Sequence, residues 1–558
     1  MTSIISRKVF IIGLDGASFR LMRPWLIGGE LPNLSSLVEE GASADLRSTV
    51  PPLTPCAWAS LMTGKNPGKH GIYDFYKKTQ GYKLRPVNAT DIDSETLWSK
   101  INKAGGKTIV INVPMTYPAA KVDGVMISGL LTPPGVSRQG GSFHPPELER
   151  ELLENVGGYR LEPEEIWGKD TDAWLKDLYD VTERQFKTTT YLLRNHDWDF
   201  FMVVFQGTDW ITHNFWRFFD PNHPEYDPKL SRKYGGEILA FYKTIDSLIG
   251  AIEKELNENT TLIIMSDHGH GPLYKVIHIN NLMGNLGLLR LKERSIRNPL
   301  RLDFWLSKLQ LRKDQVWNLL SKYPVIMRLI REVWYRHSSS IELSLSDVDW
   351  SRTKVYGSGH MGQLRLNVKD RESRGIVKSE EYDELINRLK KELYRLRDPI
   401  TNERVVERVF RREEIYSGKY VKEAPDLLYL TNCPYVPYNG IEINTGRLIT
   451  PSPSIQSSMH TMDGILIMKG PGIRKGVRLE KASIMDIFPT VLHIMGIPIP
   501  SELDGDVLIN AFSEDSPLSR REIPFQVPED YARSDRYALS KEEEEKIMER
   551  LRQLGYMG

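Results

Sequence analysis

The sequence predicts an α/β protein built on a mainly parallel sheet, and three observations predict it. Short apolar runs end in Asp or Gly at Lys8 to Leu14 before Asp15, Phe200 to Phe205 before Asp209, and Thr261 to Met265 before Asp267. Runs of that length read as strands buried on both faces. Helical patterns lie between them, at Leu34 to Glu40, Ser94 to Ala104 and Trp174 to Asn195, so strands alternate with helices as in βαβ units. In open sheets of this kind ligands bind outside the carboxyl ends of the strands, which places the three carboxylates on one rim.

The remaining elements follow in order. Residues 1–285 read as the first part of the core. Residues 286–345 read as a helical insertion; Leu286 to His337 holds three tryptophans and twelve Lys/Arg against four Asp/Glu. Its Arg290, Lys292, Arg294 and Arg297 suit either a lid facing an anionic substrate or an ordinary solvated face; contact with anionic lipid is a third reading. Residues 346–512 resume the core, with strand character around Tyr356 to Val368, a charged helix over Ser379 to Arg397, and the strand-like runs PDLLYL and DGILIMKGPG. The polar tail, residues 513–558, ends in an amphipathic helix over Lys541 to Leu554 that is expected to pack on the body.

A chain of 558 residues with 40% apolar and 26% charged side chains has the balance of a folded enzyme with a large core. A net charge of +1 excludes a global pull toward nucleic acid, and no nucleic-acid-binding motif is present. Cys56 and Cys433 are too few for a disulfide framework. The N-terminal apolar run is short and no run is long enough to span a bilayer, so a cytoplasmic location is expected.

Five segments carry chemistry. Asp15, at the end of VFIIGLDG, reads as a hard-metal ligand or as a helix cap. In PPLTPCAWASLMTG, Thr54 stands at an expected helix N-cap with Pro55 at the first helical position. Free N–H groups and the helix dipole suit a phosphate there, although Thr-Pro is also an ordinary cap. Asp209 and His213 are four apart in DWITH, one face of a helical turn, where they chelate an ion or merely pack. Asp267 and His268 in SDHGHGP leave a strand together; they read as metal ligands over a buried hydrogen-bonded pair. His270 reads as an outer partner of the site or as exposed. His460 gains meaning only as a further ligand, while Asp463 and His360 read as structural and loop residues.

In this order the segments resemble the alkaline phosphatase superfamily, in particular its type I phosphodiesterase and nucleotide pyrophosphatase branch. The carriers are strand-Asp-Gly, the run from Pro51 to Ile72 with TGKNPGKHGI, DxxxH, SDHG and a late His. The resemblance implies a sandwich of helices around a central sheet and a small phosphorylated substrate. It also implies two divalent ions, zinc with manganese as substitute. Asp209, His213 and His460 would hold one; Asp15, Asp267, His268 and Thr54 would hold the other. Thr54 would be the nucleophile of phosphodiester or pyrophosphate hydrolysis, with phosphomonoester hydrolysis or phosphomutase-type transfer as the alternative. One departure is visible: Phe75 stands where such nucleotide pyrophosphatases carry a phosphate-contacting Asn. Thr54-Pro55-Cys56-Ala57 also lacks the Cys-x-Pro-x-Arg pattern of sulfatases.

Overall fold

The computed structural model describes residues 7–135, 141–293, 345–440, 448–452, 456–522, 524–526 and 537–554. The three apolar runs are strands of one nine-stranded sheet. Its strands are β1 (Lys8–Leu14), β2 (Ala42–Arg47), β3 (Thr108–Val113), β4 (Gly124–Ser128), β5 (Phe143–His144) and β6 (Phe200–Phe205). They are joined by β7 (Thr260–Met265), β10 (Asp463–Lys469) and β11 (Val477–Arg478); a separate two-stranded ladder is formed by β8 (Gly269–Pro272) and β9 (Ser458–Thr461). The order is β11-β2-β10-β7-β1-β6-β3-β4-β5. From β7 to β4 every neighbouring pair is parallel, and β10 is antiparallel to both of its partners.

Alternate residues of β1 feed two cores. Val9 and Ile11 pack with helix α1 (Thr54–Thr63) on one face of the sheet, and Phe10 and Ile12 pack against helices on the other. Those helices include α2 (Thr171–Asn195), α3 (Gly207–Phe219) and α4 (Glu237–Glu253). Two covered faces explain why these strands show no polar alternation. Each fully buried Phe or Ile contributes roughly 1.5–3 kcal/mol by leaving water.

Helix α1 begins one residue earlier than expected, with Leu53 as the cap and Thr54 as its first residue. The Thr54 side chain makes no capping bond, because its hydroxyl is turned to His268 instead. The helix stops at Gly64, whose φ of 65° is the left-handed conformation that glycine adopts without strain.

The resumption after residue 346 divides. DGILIMK enters the main sheet as β10, whereas LLYLT (Leu427–Thr431) joins a separate four-stranded antiparallel sheet. Its other strands are Val355–Gly357, Gln363–Leu366 and Val406–Arg411, covered by the helix Ser379–Arg395. A short apolar run does not name its partner, which is why the two runs looked alike. Leu288 and Leu289, at the start of the expected insertion, are buried in this smaller core. Residues 294–344, with Arg294, Arg297 and the three tryptophans, lie outside the described residues. Among the described residues no helix is long and apolar enough to cross a membrane.

Candidate metal centre and nucleophile

Leu14 pairs with Phe205 and Gly13 with Met265, so β6, β1 and β7 end level and release Asp209, Asp15 and Asp267 side by side. Asp209 enters in the first turn of α3 and His213 follows one turn on. His460 comes from far along the chain. It arrives because β9 pairs antiparallel with β8, with His460 directly opposite His270. All seven residues singled out from the sequence, Asp15, Thr54, Asp209, His213, Asp267, His268 and His460, are therefore in one buried cluster.

Asp15, Asp267 and His268 bring ligand atoms within 4.8 Å of one another, and so do Asp209, His268, His270 and His460. His213 Nε2 lies 3.4 Å from Asp209 Oδ1 and 2.9 Å from His460 Nε2. Thr54 Oγ1 is 3.2 Å from His268 Nε2. The indole N–H of Trp58, one turn along α1 from Thr54, donates to Asp15 Oδ2 at 3.2 Å. Gly16 N–H donates to Asp267 Oδ1 at 3.2 Å, and the Thr208 hydroxyl donates to the Asp15 carbonyl at 2.6 Å.

The hydrogen bonds fix the imidazole tautomers. His213 Nδ1 faces the Ser458 carbonyl at 2.9 Å, His460 Nδ1 the Pro52 carbonyl at 3.0 Å, and His268 Nδ1 the Gly269 carbonyl at 3.3 Å. A carbonyl only accepts, so each Nδ1 carries the proton and each Nε2 turns a lone pair to the centre. This is how metal-ligating histidines are held. His270 has the opposite arrangement: its Nε2–H donates to Asp209 Oδ1 at 2.8 Å, and its Nδ1 accepts from the Ser458 hydroxyl at 2.9 Å. It orients Asp209. Gly16 leaves room for this ring, since a Cβ there would stand 2.4 Å from His270 Nε2, and its φ of 70° suits glycine.

Burial holds the His213 and His268 imidazoles well below their ordinary value, and so neutral. It also pushes the Asp15 carboxyl well up, helped by the charges of Asp267 and Asp209. Asp267 is pushed up to about 7, chiefly by burial. Burial acts the same way on Asp209, but the histidines around it, with His270 Nε2–H bonded to Oδ1, outweigh it and hold that carboxyl low. Asp15 Oδ1 and Asp267 Oδ2 are buried and receive no N–H or hydroxyl. Carboxylates packed this closely in low dielectric call for positive charge.

His270 is the residue that sequence reasoning left open. Asp463 is exposed and paired with Arg47 at 3.6 Å, away from the cluster. His360 is more than a loop residue: its Nδ1–H and backbone N–H both donate to Asp74, each at 2.6 Å, tying the smaller sheet to the segment after HGI. Phe75 is fully buried in the core that packs α1.

A parallel sheet whose carboxyl edge presents this Asp/His cluster beside a helix-borne threonine defines the class: an α/β protein of the alkaline phosphatase superfamily. The family model for type I phosphodiesterase / nucleotide pyrophosphatase matches residues 9–448. The chain belongs to that family, whose members are hydrolases of phosphodiester and pyrophosphate bonds. Among curated proteins, human arylsulfatase K is 46% identical over 50 residues, a match spanning 9% of each chain. Among solved structures, murine ectonucleotide pyrophosphatase / phosphodiesterase 5 is 12% identical with a TM-score of 0.48, over 91% of this chain and 100% of that one. An inactive form of the same mouse protein in complex with AMP matches with the same values.

Proposed function

We propose that this chain hydrolyses phosphodiester or nucleotide pyrophosphate bonds, with Thr54 as nucleophile and two divalent cations held by the Asp/His cluster. The observation that carries the reading is the gathering of buried ligand atoms: those of Asp15, Asp267 and His268 lie within 4.8 Å of one another, as do those of Asp209, His268, His270 and His460, with His213 Nε2 2.9 Å from His460 Nε2. Buried carboxylates and imidazoles drawn this close together suit a shared cation. The buried oxygens of Asp15 and Asp267 that receive no donor ask for the same on the other side. The residues therefore fit the ions that the family implies: Asp209, His213 and His460 for one, Asp15, Asp267, His268 and Thr54 for the other. Mixed carboxylate and imidazole donors suit zinc, with manganese as a substitute.

Bound there, two such cations would lower the pKa of the Thr54 hydroxyl and offset charge on the transferring phosphoryl group. The chain's own residues supply the rest. In α1 the first intrahelical bond is Ala57 N–H to the Leu53 carbonyl, at 2.9 Å, so the N–H groups of Thr54 and Cys56 stand outside the helical ladder and face a phosphate's non-bridging oxygens. Thr54 Oγ1 attacks phosphorus, forming the phosphothreonine bond as the bond to the leaving oxygen breaks. Trp58 and His270 hold Asp15 and Asp209 in place meanwhile. Water then attacks from the face that the leaving group vacated, freeing Thr54. Binding energy from pre-set donors in a dry site is the main source of rate.

The test is hydrolysis of bis-(4-nitrophenyl) phosphate and 4-nitrophenyl phosphate by metal-stripped protein refilled with zinc or manganese. Metal restores turnover of the diester, and Thr54→Ala lowers it by at least ~10²-fold. Turnover that survives Thr54→Ala unchanged would rule out the nucleophile. A monoester preference would move the reading to the phosphatase and phosphomutase-type alternative.

A further inference from the structure

The candidate centre is shut. Thr54, Asp267, His268 and His270 are fully buried, and the most exposed members, His213 and His460, keep only 4% and 5% of their side chains. A phosphate ester therefore reaches Thr54 only when a neighbouring element moves. The helix Lys541–Gln553 lies across the edge where that movement counts. Its capping residue Leu554 packs against both large hydrophobic cores. Those cores cover opposite faces of the main sheet, so one side chain meets both only by lying past the sheet's edge. The edge is the carboxyl one. Gln456 Nε2–H donates to the Leu554 carbonyl at 3.0 Å, and the next residue, Ser457, donates its N–H to the His213 carbonyl at 2.6 Å. Trp210, His213 and Asn214 of α3 also share a small cleft with Arg550, Gln553 and Leu554. From there the helix runs back along the strand Leu84–Pro86, with Ile547 and Leu551 buried in the core that packs α1. At its other end the hydroxyls of Tyr117 and Tyr537 both donate to Glu543 at 2.8 Å.

Resting on the hydrolysis proposed above, we infer that this helix is a strap across the carboxyl rim that shuts the centre, and that substrate enters when the strap lifts. Its attachments suit a part that comes away. It joins no sheet ladder, so lifting it costs no strand pairing. Of its apolar side chains only Ile547 and Leu551 are buried, a hold within the range of the local openings that folded proteins undergo. Beside His213 the clasp is an ion pair: Arg550 meets Glu162 at 2.7 Å and donates to the Pro163 carbonyl at 2.6 Å, the two charged side chains being 13% and 15% exposed. Both charges lose water when the clasp closes and regain it when the clasp opens, so the pair holds the helix in one place at a modest net cost of release.

The test reads access to position 54 directly. In the full chain, Thr54→Cys is combined with Cys433→Ser, and the rate of reaction with sulfonatoethyl methanethiosulfonate, a small anionic thiol reagent, is measured. The same chain with Thr54 intact reports Cys56, which is fully buried in the core under α1, and so serves as the control for general loosening. Replacing the clasp by Glu162→Gln with Arg550→Gln leaves no buried charge without a partner. It is expected to raise labelling at position 54 at least about tenfold, the factor that follows from losing one charge-assisted hydrogen bond, with the Cys56 rate unchanged. Gln456→Ala, which removes the bond to the Leu554 carbonyl and leaves the clasp, raises it less, and decides the matter by itself if the double change does not fold. Labelling at position 54 that does not respond overturns the strap, and so does a rise that Cys56 shares. The labelling uses neither metal nor turnover. Unchanged labelling beside Thr54-dependent hydrolysis therefore overturns the strap alone, and faster labelling beside a failed hydrolysis assay overturns the proposed function alone.

Discussion

His270 stands two residues after His268, and in an extended chain that spacing returns a side chain to the same face. The signal was therefore present in SDHGH. It went unused because a strand this short shows no period, and because the ladder that makes it a strand comes from residues 458–461. His270 holds Asp209 through Nε2–H, and the Ser458 hydroxyl holds His270. Partners of this kind typically tune metal affinity 10–100-fold. His270→Ala is thus expected to weaken metal binding by about that factor while leaving the fold and the metal stoichiometry at saturation unchanged. Isothermal titration of the stripped protein with zinc reads this directly, and an unchanged affinity would sink the orienting role. Asp15, Asp209 and Asp267 were legible because each follows a strand end. Thr54 was legible from its Pro, although the cap itself falls on Leu53.

At the scale of elements, the apolar runs announced every strand of the parallel block named from the sequence, since strands buried on both faces have no other way to be written. The pairing of β8 with β9 was not legible. Neither segment is apolar, and what joins them is a fit of backbone across nearly two hundred residues. Gly269 makes that fit: a Cβ there would lie 2.2 Å from the Asp463 carbonyl oxygen. Gly269→Val is expected to push β8 and β9 apart and carry His270 and His460 out of register. The main sheet keeps its own core, so far-ultraviolet circular dichroism stays near that of the unaltered protein while bound zinc per chain falls. Equal zinc content in the two proteins would show that the ladder does not bring the late histidine to the site. The division of the later strands between two sheets was hidden for a related reason, since LLYLT and ILIM are alike in composition and differ only in neighbours.

Over the whole molecule, two buried carboxylates join the smaller sheet to the rest and hold it together, and both make stability depend on acid. Asp74 accepts from His360 twice and from the Gln363 side chain at 2.7 Å; burial pushes its carboxyl up, but the His360 charge and these bonds outweigh it and hold the pKa below the ordinary range. Asp426 is fully buried under Arg371, at 2.6 and 2.7 Å, with Arg412 at 3.2 Å. There too burial is outweighed, chiefly by Arg371, and the carboxyl is held low. A carboxylate whose folded pKa lies below its unfolded value of about 3.9 stabilises the fold above that value and loses its contribution as pH falls through the folded pKa. The smaller sheet is therefore expected to loosen below about pH 4. Asp426→Ala, which removes the carboxylate between Arg371 and Arg412 and leaves Arg371 only Glu372 as an ion-pair partner among the described residues, is expected to cost about 3 kcal/mol at neutral pH. Asp74→Asn is expected to flatten the acid limb while changing neutral stability less. Urea unfolding midpoints between pH 7 and pH 3 measure both. If unaltered protein and Asp74→Asn lose stability in parallel as the pH falls, Asp74 does not carry the acid dependence, and the lock between the two sheets lies elsewhere.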